Sequence, residues 1–118
     1  MANELTYAAT LNFAKSGSNS IAKGLTDTID VAGAYVADAQ QLIGTVDETL
    51  TYPADLATVG MCIFQNLDAT NYIEIGNDGS NYPIRLKAGE FGIFRFNGTI
   101  HAKANTAACK LGFTIIEA

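Results

Sequence analysis

Leu5-Thr6-Tyr7-Ala8-Ala9-Thr10-Leu11-Asn12-Phe13 is the stretch on which the fold reading turns. Leu5, Tyr7, Ala9, Leu11 and Phe13 share one parity, while Glu4, Thr6, Ala8, Thr10 and Asn12 fall on the other. Side chains of an extended chain point alternately to opposite faces, so the pattern predicts a strand over residues 4–14 with one dry and one wet face.

The same logic works outward along the chain. Lys15-Ser16-Gly17-Ser18-Asn19-Ser20 is turn chemistry and predicts a flexible loop. A second strand is expected over residues 24–31, with Leu25, Ile29 and Val31 in phase and Asp27 as the exception, and Gly33 breaks it. Tyr35, Val36, Ala39, Ile43 and Val46 would make a helical stripe, but Gly44 and Thr45 interrupt it and no cap follows; a strand near 36–43 is the better reading. Residues 48–52 form a short strand stopped by Pro53, which has no N–H to give a ladder. Met61-Cys62-Ile63-Phe64-Gln65 is an apolar run, as expected of a strand buried on both sides. Strands at 72–75 and 82–86 are separated by the loop Gly76-Asn77-Asp78-Gly79-Ser80-Asn81. Residues 91–96 follow, then Asn97-Gly98, the strongest short hairpin signal in the chain, so residues 100–104 are expected to return antiparallel. Residues 110–117 close the pattern with Leu111, Phe113 and Ile115 on one face. About nine strands at regular turn spacing predict an all-β, antiparallel β-sandwich of jelly-roll-like kind. The expected organisation is a single domain, residues 1–118, whose residues 1–20 are the N-terminal strand and flexible loop.

A chain of 118 residues removes roughly two thirds of its unfolded surface from water on folding, enough for one core without staples. Hydrophobic residues make up 48% and charged residues 16%, a globular balance. No apolar run approaches the ~20 residues that span a bilayer, so no membrane partner is expected. The start Met-Ala-Asn-Glu-Leu-Thr has no basic region leading into an apolar one, so synthesis in a cytoplasm is expected. Cys62 and Cys109 then fit reduced core thiols. The net charge of −5 is uneven: Asp27, Asp30, Asp38, Asp47, Glu48, Asp55, Asp68, Glu74 and Asp78 lie in a stretch with no base between Lys23 and Arg85. Nucleic acid is a poor partner for such a chain, since phosphate neutralisation drives that binding. The acids read as solvated loops, or as a surface that meets a basic partner.

Residues able to carry chemistry are scattered. His101, the one histidine, takes the parity opposite Ile100 and Ala102 and reads as a surface residue; alone it cannot build a multi-histidine metal site. Cys62 and Cys109 lack the paired spacing of a zinc site. Ser20-Ile21-Ala22-Lys23 matches S-x-x-K, but the rest of that signature is missing and the segment reads as a loop. Residues 77–81 lack the spacing of a calcium loop. Asn97-Gly98-Thr99 would be a glycosylation acceptor only in a secreted chain. Asp47 and Glu48 are adjacent and would face opposite ways in a strand. No catalytic, cofactor or metal residue is nominated, and the expectation is a protein that is not an enzyme. The surplus lies elsewhere: Phe91, Ile93 and Arg95 occupy one parity of a strand and Phe94 and Phe96 the other. Such a strand is either central to the core or turns one face to a subunit interface, where aromatics and Arg are enriched.

Four further pieces carry a family likeness. They are Ile43-Gly44-Thr45-Val46-Asp47-Glu48-Thr49-Leu50, Asn66-Leu67-Asp68-Ala69-Thr70-Asn71-Tyr72-Ile73-Glu74-Ile75-Gly76, Leu86-Lys87-Ala88-Gly89-Glu90-Phe91 and Ala102-Lys103-Ala104-Asn105-Thr106. Together they resemble small virion proteins of tailed bacteriophages over residues 40–117. The resemblance implies a jelly-roll subunit of the capsid decoration or cement type. It implies a homo-oligomer, a trimer by preference, that binds the major capsid protein or other virion proteins and resides in the virion after synthesis in the host cytoplasm. A neck, tail or fibre component is the alternative, as is a carbohydrate-binding module using Tyr35, Tyr52, Tyr72 or Tyr82. The candidate interface residues are Asn3, Leu5 and Tyr7, because a terminal segment is free to reach a neighbour, together with Phe94 and Arg95.

Overall fold

Ten strands and no helix run through residues 3–17 and 19–118, the residues that the structure, a computed structural model, describes. They are β1 Leu5–Phe13, β2 Ile21–Ile29, β3 Val36–Ile43, β4 Glu48–Thr49, β5 Val59–Asn66, β6 Ile73–Gly76, β7 Ile84–Leu86, β8 Phe91–Arg95, β9 His101–Ala104 and β10 Cys109–Glu117. The chain divides into two compact units, Met1–Ala32 and Gly33–Ala118.

The second unit carries the sandwich. One sheet has the order β3-β10-β5-β8, the other β4-β9-β6-β7, and every neighbouring pair is antiparallel. Eight strands shared between two four-stranded sheets in this order make a jelly roll. Alternation explains how the sheets meet. Ile43, Cys62, Phe64, Leu111, Phe113 and Ile115 point inward from one sheet, and Ile73, Ile75, Leu86, Ala102 and Ala104 from the other; all are buried in one cluster. Each large apolar side chain so buried contributes about 1.5–3 kcal/mol. Phe64, at the centre, stacks on Phe94 at 6.3 Å and meets Phe96 edge-on at 6.0 Å. Gly92 makes the first contact possible, because any Cβ there would run into the Phe94 ring.

Three of the segments quoted above, at 66–72, 86–90 and 105, meet around one buried polar residue. Asn66 is fully buried, and its amide donates to the carbonyls of Asn71 (2.8 Å) and Leu86 (3.0 Å). Its side-chain oxygen accepts from the Asp68 N–H at 2.9 Å. Its main chain exchanges hydrogen bonds with Glu90 and Gly89, and the Tyr72 N–H donates to the Asn105 side chain at 2.8 Å. Segments far apart in sequence thus form one corner held together by hydrogen bonds.

The first unit is an antiparallel ribbon, β1 paired with β2 over nine unbroken register positions from Leu5↔Ile29 to Phe13↔Ile21. The Asn3 N–H donates to Asp30 and the Val31 N–H to Glu4, closing its open end. The expected flexible loop includes Ser18, which lies outside the described residues.

Several expectations need correction. Residues 61–65 are not covered on both faces: Cys62 and Phe64 are buried, whereas Ile63 is 43% exposed. The chain does bend at Gly98, whose φ is 88°, but no hairpin follows Asn97-Gly98. β8 pairs with β5 and β9 with β4 and β6, so the turn carries the chain from one sheet to the other. A local turn signal reports reversal, and which strand lies alongside is decided by the whole sheet order. β8 is also an edge strand rather than a central one. The second strand begins at Ile21, not near 24, which puts Lys23 of the S-x-x-K spacing in a strand rather than a loop.

Candidate interaction surfaces

In an antiparallel pair, residues directly opposite each other share a face. The register therefore gathers Leu5, Tyr7, Ala9, Leu11 and Phe13 of β1 with Ile21, Lys23, Leu25, Asp27 and Ile29 of β2. Thr6, Thr10, Asn12, Thr26 and Thr28 line the opposite face, where the Thr6 and Thr28 hydroxyls meet at 3.3 Å. The dry face predicted from sequence is apolar but not dry: Leu11 is 67% exposed, Leu25 65%, Ile21 49% and Phe13 48%. Of the nominated residues, Leu5 and Tyr7 lie on this face and are half-buried. The Tyr7 hydroxyl donates to Asp27 Oδ2 at 3.3 Å. Asn3 caps the ribbon's open end with a positive φ of 66°.

Phe94 and Arg95 are adjacent in β8 and face opposite ways. Phe94 packs against the core, while Arg95 is exposed with Phe91 on the outer face of its sheet. Register places Val36, Asp38, Gln40 and Leu42 of β3, Gly112 and Thr114 of β10, and Ile63 and Gln65 of β5 on that same face. A groove of about 320 Å³ lies at Gly112, lined by Asp38, Gln40, Ile63, Gln65, Leu67 and Thr114. Val36, Leu42 and Phe91 stand exposed around it. This surface offers amides and large apolar groups together.

The outer face of the other sheet is charged and satisfies itself. Glu74 pairs with Arg85 at 3.1 Å, and the Arg85 guanidinium lies 4.2 Å over the Tyr72 ring. Lys103 covers the Tyr82 ring at 4.7 Å. Two of the tyrosines nominated for stacking on sugars therefore already have a ring face occupied. His101 points outward, as its parity predicts, and its Nδ1 lies 2.9 Å from Asp47 Oδ2. The Tyr82 hydroxyl donates to the other Asp47 oxygen. These hydrogen bonds, Tyr82 first and His101 second, hold the Asp47 carboxyl below the usual carboxylate range. Desolvation and the bond to Asp47 push the Tyr82 phenol up to about 12. A carboxylate occupied by two donors ties the 45–47 turn to β9 and leaves His101 in a structural contact. Sequence reasoning missed this cluster because its members lie 35 and 54 positions from Asp47, and none of them alone signals the contact.

Cys62 and Cys109 are free thiols in the core, and burial pushes Cys62 up to about 12, so it stays protonated and unreactive. Among the described residues no three His, Cys, Asp or Glu side chains come together as a metal site. Compared with protein-family models, with curated proteins and with solved structures, the chain has no match.

Proposed function

We propose that the chain is a structural subunit of a phage particle, of the capsid decoration or cement type, that self-associates and docks on the protein shell. The observation that carries this reading is the ribbon's apolar face, which exposes Leu11, Phe13, Ile21 and Leu25 to water. A lone two-stranded ribbon is marginal in water, so a face of this kind needs a second layer. The amide and apolar face around Gly112 supplies a second adhesive surface, suited to the shell. Jelly rolls build many capsid proteins, although they also build lectins and enzymes, so the fold alone does not choose among them. The choice rests on the exposed faces and on the likeness of the turns to virion proteins.

Copy number in purified particles tests the reading. Heads and tails are separated and each is quantified by mass spectrometry, and the purified chain is sedimented with heads. High copy number in tail-less heads, and saturable co-sedimentation weakened by Phe91→Asp or Arg95→Glu, is the expected result. A tail-only location would move the chain to the neck, tail or fibre class. Absence from both fractions would overturn a virion role.

A further inference from the structure

On the ribbon's apolar face, β2 presents Ile21, Lys23, Leu25, Asp27 and Ile29 in order, opposite Phe13, Leu11, Ala9, Tyr7 and Leu5 of β1. The Ala9–Leu25 pair is the midpoint. About it, Ile21 balances Ile29, Phe13 balances Leu5, and Leu11 balances Tyr7. Only the charges break the balance, and they do so by sign: Lys23 stands two positions to one side of Leu25 and Asp27 two positions to the other.

Resting on the reading above, we propose that this face is a two-fold interface for a second copy of the chain. The copies stack face to face about an axis that runs across the strands over the Ala9–Leu25 pair. Such a rotation reverses strand direction and keeps β2 over β2. Lys23 then lies over Asp27 of the second copy, and Asp27 over its Lys23. Ile21 meets Ile29, Leu5 meets Phe13, Tyr7 meets Leu11, and Leu25 meets itself. An axis along the strands would instead lay β2 over β1 and set each charge on Leu11 or Tyr7. The charge pattern therefore selects between the two ways of closing the pair.

The physical demands are met. Stacked sheets sit about 10 Å apart, within reach of a lysine paired to a carboxylate across the gap. Tyr7 donates to Asp27 at 3.3 Å and orients that carboxylate. Lys23 has no acidic partner among the described residues. Both strands of a two-stranded ribbon are edges, so the charged heads keep contact with water and set the register while the apolar groups supply the attraction. The patch is the same on both partners, as an isologous two-fold contact requires.

Charge swapping in the full chain tests this. Mass is read by light scattering after size exclusion, and affinity by sedimentation velocity. The wild type is expected to reach twice the chain mass. K23D sets Asp against Asp27 and is expected to weaken the dimer by at least about tenfold, and D27K to do the same. The double variant K23D/D27K restores opposite charges at both contacts and is expected to dimerise within about threefold of wild type. A wild-type chain that is monomeric at high concentration would overturn the interface, whether the apolar face is free or covered from within. Open-ended growth would indicate edge-to-edge strand addition, and a threefold mass the trimer that the sequence resemblance implies; either overturns the two-fold arrangement. A dimer indifferent to both single reversals, or not rescued by the double variant, would overturn the register. An intact dimer that fails to sediment with heads would sink the proposed function and leave this interface standing.

Discussion

The ribbon and the jelly roll follow the same alternation and reach opposite environments. In β10, Leu111, Phe113 and Ile115 are 0%, 3% and 0% exposed. In β1, Leu11 and Phe13 of an equally regular pattern are 67% and 48% exposed. Period-two alternation tells which face of a strand is apolar; it does not tell what covers that face. The jelly roll supplies its own second layer, since each of its sheets is the other's cover. The ribbon has two strands and a face that asks for a partner.

The largest expected difference between the regions is in their response to truncation. Phe64→Ala removes a fully buried ring at the junction of β5 with Phe94 and Phe96, and is expected to cost about 3–5 kcal/mol in denaturant unfolding of the jelly roll. Leu11→Ala in the ribbon should change that transition by no more than about 0.5 kcal/mol while lowering the self-association constant. Equal effects on unfolding would erase the contrast. Asn66→Ala comes next. It leaves the Asn71 and Leu86 carbonyls and the Asp68 N–H short of a partner, and should cost roughly 1–3 kcal/mol without altering the ribbon's circular dichroism contribution.

Acid should separate the regions less sharply. Hydrogen bonds hold Asp47, Asp68, Asp78 and Glu117 of the jelly roll below their ordinary values: Tyr82 and His101 act on Asp47, and mainly backbone N–H groups act on the other three. A carboxylate with a depressed folded pKa stabilises the fold above its unfolded value, and that stability is lost as pH falls through the folded one. The melting temperature of the jelly roll should therefore be steady at neutral pH and fall below about pH 4. Asn at positions 47 and 68 should flatten the dependence, and a jelly roll indifferent to pH between about 5 and 2 would contradict it. The smallest expected effect on stability is that of Arg95→Glu, on the exposed face of β8: unchanged unfolding within about 0.5 kcal/mol, with weaker docking on particle heads.

Much of the fold was legible in the sequence, and the exceptions share a cause. The strand at 36–43 won over a helical stripe because Gly44 and Thr45 break helical spacing, and β3 occupies those residues. Local pattern also placed His101 outward and Leu111, Phe113 and Ile115 inward. It could not show that Asn97-Gly98 crosses between sheets, that β8 is an edge, or that Ile63 faces water, because sheet order is a property of distant pairings. The Asp47–His101–Tyr82 cluster was hidden for the same reason. Nothing local to Asn66 announces its role, and only its burial and hydrogen bonds show that three segments depend on it. Leu5 and Tyr7 were nominated from their place near the N-terminus and share a parity, while Lys23 and Asp27 acquire meaning only once the register sets them on the same face.

Hydrogen exchange at two protein concentrations tests the central claim most directly. If a second copy supplies the ribbon's missing layer, amides of β1 and β2 should gain protection as concentration rises through the association range, while those of β5 and β10 stay constant. Ribbon amides equally protected at every concentration would contradict the account, because the ribbon would then be stable without a second copy.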